Sequence, residues 1–382
     1  MASNRLTELF LQEGQSAWQD DISRDMLNQG AIAHAINETG IRGLTSNPTI
    51  FEKAIASGAA YDEDVATLAG QGLDDAAIFE AVAVADIQAT CDLFRELYDT
   101  SNGGDGFVSI EVSPAGARDA EVTTTDARRL WKAVDRPNLM VKIPGTIEGT
   151  PVIQQMLDEG ININVTLLFS VEAYDRVAKA YIDALAARHA RGESVDRIAS
   201  VASFFVSRVD ALVDKQLDAL IAGTDDEAKK AELEALKGKA AIANAKLAYK
   251  SFGQLFSGAK WEELAAAGAV PQRPLWASTS VKNPAYPDTL YVDELIGPDT
   301  VNTMPRPTIT AFIDHGTVAR TIDTGVAEAE ATMAALAAAG IDFTAVTNQL
   351  EDEGIASFVK SYDALIGGVG SKRSQLAATP AD

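Results

Sequence analysis

Short apolar runs alternate with amphipathic stretches along most of the chain. Eight runs read as strands: residues 16–20, 43–46, 107–113, 139–143, 161–169, 199–206, 274–280 and 301–304. Helical periodicity fills most of the intervals. Strands separated by helices pair in parallel, because a parallel pair needs a long crossover. Eight such units favour a closed α/β barrel over an open sheet. The boundaries carry their own signals. Asn47-Pro48 opens the helix after the second strand, and Ser170 caps a helix over 171–191 that Gly192 follows. Thr150-Pro151 reads as a cap and first helical residue, with Gly160 as the stop. Extra helices are expected at the N-terminus over 2–13, after strand 2 over 51–104, and between strands 6 and 7 over 209–273. The last of these includes a charged surface segment, 225–239. With no linker or internal repeat, residues 1–370 read as one domain. The Gly-, Ser- and Ala-rich end, 371–382, reads as a disordered tail.

Side chains on a strand alternate between two faces. On the fourth strand Leu139, Val141 and Ile143 oppose Met140 and Lys142. On the third, Val108, Ile110 and Val112 oppose Ser109, Glu111 and Ser113. On the fifth, Ile161, Ile163, Val165 and Leu167 oppose Asn162, Asn164, Thr166 and Leu168. One wholly apolar face per strand belongs against the helices, and the polar face then points into the barrel. An unpaired lysine, glutamate or asparagine is costly there, so these groups imply a shared polar site. Lys142, Glu111, Asp20 and Thr166 fall near the C-terminal strand ends, where barrel sites sit. A lysine in an apolar strand beside carboxylates suits amine catalysis, since desolvation favours the uncharged nucleophile. A buried ion pair without chemistry accounts for the same residues, and at this point both readings stand.

Composition narrows the choice. The 382 residues are 47% hydrophobic, enough for a large core. Lys plus Arg is 32 and Asp plus Glu 55, giving 32 − 55 = −23. That charge disfavours nucleic acid and anionic membrane as partners. A phosphate-bearing substrate would need a locally basic site. One cysteine, Cys91, lies in an apolar helical run and reads as a core residue; it allows no intrachain disulfide and fits a reducing, cytoplasmic compartment. No stretch resembles a signal peptide or a membrane span. His34, His189 and His315 lack ligand spacing, so no metal is expected, and no cofactor motif is present.

Six segments in order resemble the transaldolase family, in its longer bacterial form. They are Trp18-Gln19-Asp20-Asp21-Ile22-Ser23, Gly43-Leu44-Thr45-Ser46-Asn47-Pro48-Thr49-Ile50-Phe51, Val108-Ser109-Ile110-Glu111-Val112, Val141-Lys142-Ile143-Pro144-Gly145-Thr146, Asn162-Ile163-Asn164-Val165-Thr166-Leu167-Leu168-Phe169, and Trp276-Ala277-Ser278-Thr279-Ser280-Val281-Lys282-Asn283-Pro284. The resemblance runs from about Leu6 to about Val369. It implies a TIM (β/α)8 barrel in which Lys142 forms a Schiff base with a ketose phosphate. Asp20 would act on the C4 hydroxyl, and Glu111 with Thr166 and a water would serve the proton transfers at the imine. Asn47 and Asn164 would bind substrate hydroxyls, and Ser203 would line the site. Arg208, Ser278 and Lys282 would hold the phosphate. The reaction implied moves a dihydroxyacetone unit from sedoheptulose 7-phosphate or fructose 6-phosphate to glyceraldehyde 3-phosphate or erythrose 4-phosphate, in the non-oxidative pentose phosphate pathway. Monomer and homodimer are both left open.

Two features qualify the likeness. Shorter members have an Ala-Ser-Phe-Arg-Asn-like sequence where this chain has Ala277 to Asn283, so Lys282 stands in for an arginine and lacks its fork. Lyase-type relatives that release free dihydroxyacetone tend to carry Gln at Glu111 and Tyr at Phe205, so this chain is expected to transfer. Plainer roles compete at some positions. Asn47 suffices as a helix cap, Asp21 reads as a turn residue, and Arg208 could pair with Asp210 in a first helical turn. Phe358 and Tyr362 share a helix face and read as packing residues, although such a helix could cover the barrel mouth.

Overall fold

The computed structural model describes residues 4–56 and 58–378. Eight strands, each parallel to its neighbours, close into a barrel in chain order. They are β1 Gln15–Gln19, β2 Gly43–Leu44, β3 Phe107–Glu111, β4 Leu139–Pro144, β5 Ile163–Leu168, β6 Ser200–Phe205, β7 Arg273–Ala277 and β8 Thr300–Met304. All eight runs read from the sequence are strands. The arrangement is a TIM (β/α)8 barrel. Val108, Ile110, Val141, Ile143, Ile163 and Val165 are buried against the surrounding helices, and the opposite face of these strands carries the polar groups inward. β2 is short because the chain leaves the ladder after Thr45, whose N–H still reaches Gln19 O at 2.9 Å. Gly43 is required there: a Cβ would run into the indole of Trp18 across the barrel wall.

β5 departs from the sequence reading. Its register with β6 slips between Val165 and Leu168, and Leu167 takes φ +60°. The extra residue reverses the expected faces beyond Thr166. Leu168, rather than Leu167, pairs with outward-facing Phe204 and packs beneath Gly145, while Leu167 turns to Gly354 on the last helix. A bulge of this kind re-aims side chains at a strand end.

The N-terminal helix Arg5–Glu13 is capped by Asn4, which accepts from Leu6 N and Thr7 N, and brings Phe10 to the N-terminal end of the barrel. Three helices follow β2 (Pro48–Ala56, Asp62–Gly70, Asp75–Thr100), and four fill the interval before β7 (Ser207–Ala222, Glu227–Glu234, Ala240–Leu255, Ala259–Ala266). Asn47 and Ser170 cap as expected, accepting from Ile50 N and Ala173 N at 3.1 Å each. Thr150 does not cap. The helix after β4 is Gly149–Asp158, and Thr146 Oγ1 accepts from Gly149 N at 2.9 Å; the Thr150 hydroxyl instead donates back to Thr146 O. A hydroxyl three residues ahead of the first free N–H displaced the one nearer the proline.

The chain end also differs from expectation. The last helix, Phe343–Ala378, continues through residues read as the start of a tail; residues 379–382 lie outside the described residues. Local composition misled here because the helix is held by tertiary contacts. Lys372 pairs with Asp62 and donates to Gly58 O, and Arg373 Nη1 lies 3.1 Å from Asp75. Gly370 lets it approach: a Cβ there would stand 2.6 Å from Asp75 Oδ2. Further along, Thr49 Oγ1 donates to Ser361 Oγ at 2.8 Å, and Tyr362 meets Phe79 edge-on. The helix therefore lies over the C-terminal end of the barrel. Among the described residues no single helix is long and apolar enough to cross a membrane.

Candidate active site

Parallel register decides which interior groups meet. Glu111 on β3 is opposite Lys142 on β4, and Lys142 is opposite Asn164 on β5, so three polar side chains stand side by side on the inner wall. Lys142 is 5% exposed. Its Nζ is 3.3 Å from Glu111 Oε2 and 3.3 Å from the carbonyl of Ser46, with the Phe358 ring centre 5.7 Å away. It opens onto a cavity of about 340 Å³ at the C-terminal strand ends, also lined by Asp20, Asn47, Thr166, Ser203 and Arg208.

Electrostatics follow from burial. Glu111 is pushed up to about 6 from its ordinary 4.5, first by desolvation and against the pull of Lys142. Its second oxygen, Oε1, meets no partner among the described residues. Asp20 is also raised by burial, opposed by the Lys142 charge and by Thr45 Oγ1, which donates to Asp20 Oδ1 at 2.7 Å. Both carboxyls thus hold a proton more readily than surface acids, as proton-transfer groups require. Thr166 Oγ1 is buried beside the cavity and has no partner among the described residues. Polar atoms left open in a barrel mouth suit a substrate. Deeper in, Asn164 is spanned by Ser109 (Nδ2 to Oγ, 3.0 Å) and Ser203 (Oγ to Oδ1, 2.7 Å). Glu111 and Asn164 stand behind the cavity wall rather than on it. Asp21 lies away from the cavity; burial raises it, and Arg306 is the cation that most opposes the rise.

The opposite wall is cationic. Arg208, in the first turn of Ser207–Ala222, lies 5.4 Å over the Phe205 ring and makes no ion pair among the described residues. Burial lowers its affinity for its proton, with Glu353 acting against this. The alternative pairing with Asp210 does not form. Asp210 instead accepts from Tyr291 OH and Ala241 N, both at 2.8 Å. Ser278 sits at φ +55°, a strained conformation that turns the chain sharply after β7, and its carbonyl and hydroxyl are tied to Ser207. Lys282 is exposed and donates to Ser280 Oγ at 2.6 Å. Lys53 and Ser280 line the cavity and were not singled out from the sequence; Phe358, read there as a packing residue on a helix that could cover the barrel mouth, lines it too. Lys53 had a legible signal, since it follows Thr49 by one helical turn and so shares its face. Phe358 comes from 153 positions beyond Phe205 (358 − 205) and had only an ambiguous one.

The site therefore holds a buried amine flanked by carboxyls, with three cations at its rim in a chain of net charge −23. Among the described residues no three His, Cys, Asp or Glu converge to hold a metal. Comparison with known proteins agrees with this chemistry. A family model described as Transaldolase/Fructose-6-phosphate aldolase matches residues 17–369. The chain is 47% identical to a transaldolase of Trichodesmium erythraeum over 378 residues, 98% of this chain and 99% of that one. It is 48% identical to a transaldolase 2 of a Nostoc species over 97% and 98% of the two chains. With a transaldolase of Acidothermus cellulolyticus it shares 49% over 93% and 94%.

Proposed function

Because the chain belongs to the transaldolase/fructose-6-phosphate aldolase family, we propose that it transfers a dihydroxyacetone unit between sugar phosphates through a Schiff base on Lys142. The observation that carries this is the buried Lys142 amine, 3.3 Å from Glu111 and open to a cavity that Asp20 also lines. In the proposed cycle Lys142 Nζ attacks the C2 carbonyl of sedoheptulose 7-phosphate or fructose 6-phosphate. Glu111, through a water, and Thr166 move protons as the carbinolamine loses water to give the iminium. Asp20 takes the proton from the C4 hydroxyl and the C3–C4 bond breaks. Its electron pair flows into the iminium to form an enamine, and an aldose phosphate leaves. Glyceraldehyde 3-phosphate or erythrose 4-phosphate then enters. The enamine carbon adds to its C1 and Asp20 returns the proton to the new hydroxyl. Hydrolysis of the iminium frees Lys142.

Asn47 and Ser203 would hold the hydroxyls of the three-carbon unit, with Asn164 joining them from behind the cavity wall through its bond to Ser203. Arg208, Ser278 and Lys282 would hold the phosphate, with Lys53 and Ser280 beside them. The cavity's cations concentrate an anionic substrate that the rest of the surface repels. No cofactor is required: the protonated imine itself is the electron sink. The single buried cysteine and acidic surface support a cytoplasmic setting without nucleic-acid or membrane partners.

The family also covers aldolases, which would release dihydroxyacetone outright. Glu111 and Phe205 favour transfer. The distinguishing assay supplies fructose 6-phosphate with and without erythrose 4-phosphate. Transfer predicts glyceraldehyde 3-phosphate formation that depends on the acceptor. Rapid release of dihydroxyacetone without acceptor would overturn this reading.

A further inference from the structure

The N-terminal end of such a barrel ordinarily serves stability alone. Here it encloses a second cavity of about 590 Å³, larger than the 340 Å³ at the catalytic end. Sites for small molecules span about 300–1,000 Å³. Phe10 from the N-terminal helix, Val270 and Pro271 before β7, and Pro298 before β8 form apolar walls. The polar part is an ion cluster. The Asp105 carboxylate, 3% exposed, accepts from Arg42 Nε at 2.6 Å, Ser16 Oγ at 2.9 Å and Arg273 Nη2 at 3.2 Å. Arg273 Nη1 also donates to Ser16 Oγ at 3.0 Å.

This cluster is not neutral. Two guanidiniums face one buried carboxylate, in a chain whose net charge is −23. Asp299, the other acid on the cavity, is exposed and pairs with neither arginine. The Arg42 guanidinium stacks on Phe10, 3.4 Å from the ring centre, and its two terminal amino groups meet no acceptor among the described residues. A largely buried cation with open donors costs desolvation that an anion would offset. Guanidinium presents paired donors suited to carboxylate or phosphate. Arg42 on Phe10 therefore offers an anion fork with an apolar surface beside it.

We propose that this cavity is a binding site for a small organic anion, its charged head on Arg42 and Arg273 and its short apolar body against Phe10, Pro271 and Pro298. Met140, which lines the cavity, lies two residues before Lys142 on the same inner face of β4. The site is thus separate from the catalytic mouth but on the same barrel axis.

The test is calorimetric titration of the full chain with benzoate, phenyl phosphate and neutral benzyl alcohol. An Arg208→Ala background weakens competing binding at the catalytic mouth, where Lys53 and Lys282 remain. At least one anion is expected to bind, and benzyl alcohol at least tenfold more weakly. Benzoate alone or phenyl phosphate alone would identify the head group as carboxylate or phosphate. Adding Arg42→Ala should weaken anion binding tenfold or more. Val270→Trp should do the same by filling the cavity; it leaves the ion cluster intact and keeps the backbone carbonyl that Tyr181 OH uses. Thermal unfolding of the Val270→Trp chain should be unchanged, which separates blockage from misfolding. No binding of either anion would overturn the proposal, as would binding indifferent to both substitutions.

Discussion

Arg208→Ala separates a phosphate ligand from a structural arginine by the sign of two effects. The guanidinium is half-buried over Phe205 and has no ion-pair partner among the described residues. Its removal should leave no buried charge stranded, so stability should hold or rise. A charged hydrogen bond to a substrate phosphate contributes about 1.5–3 kcal/mol, equivalent to about 10- to 150-fold. That loss should fall on kcat/KM for fructose 6-phosphate. It should spare unphosphorylated fructose, which has no group for Arg208 to hold. Arg208→Lys keeps the charge without the fork and should fall between. The assay is a coupled rate measurement with both donors and erythrose 4-phosphate as acceptor, beside thermal unfolding of each variant. Equal losses with both donors, or a large drop in stability, would refute the assignment.

Three other substitutions test separate parts of the account. Glu111 is raised to about 6, so its ionised form is lost as pH falls through that value; the acid limb of kcat/KM should lie near 6, and Glu111→Gln should abolish that ionisation. An unchanged limb in Glu111→Gln would assign it elsewhere. Phe358→Leu, whose parent ring lies 5.7 Å from Lys142 Nζ, should admit water. Dihydroxyacetone release without acceptor should then rise several-fold, with stability lowered by about 1 kcal/mol because the ring is buried, and a release rate equal to the parent's would show that the ring does not exclude water. Gly43→Ala should cost about 1–3 kcal/mol in urea unfolding, because its methyl overlaps the Trp18 ring; a neutral result would mean that β1 and β2 shift apart freely.

The strands were legible because alternation on β3, β4 and β5 is enforced by two unlike environments, helices outside and a polar barrel inside. That same logic put Lys142, Glu111 and Asn164 on one face, and the parallel register made them neighbours. It failed at Leu167, where a bulge adds a residue that no local pattern announces. Order at the chain end was illegible for a related reason. Residues 371–378 are helical through Lys372 and Arg373 pairing with Asp62 and Asp75, about 300 positions earlier. Phe358 is in the same position: its approach to Lys142 depends on where that long helix docks. Thr146 capping in place of Thr150 reflects a choice between two nearby hydroxyls that backbone geometry alone makes. The second cavity had no signal at all. Arg42, Asp105 and Arg273 lie in three separate loops or strand starts and converge only when the barrel closes.

The proposed function stands on a covalent bond between Lys142 and substrate. Incubation with fructose 6-phosphate, reduction with borohydride, digestion and mass spectrometry test it directly, with Lys142→Ala as control. A reduced three- or six-carbon adduct is expected on the peptide containing Lys142 and absent from the variant. No adduct, or an adduct on another lysine such as Lys53 or Lys282, would contradict it.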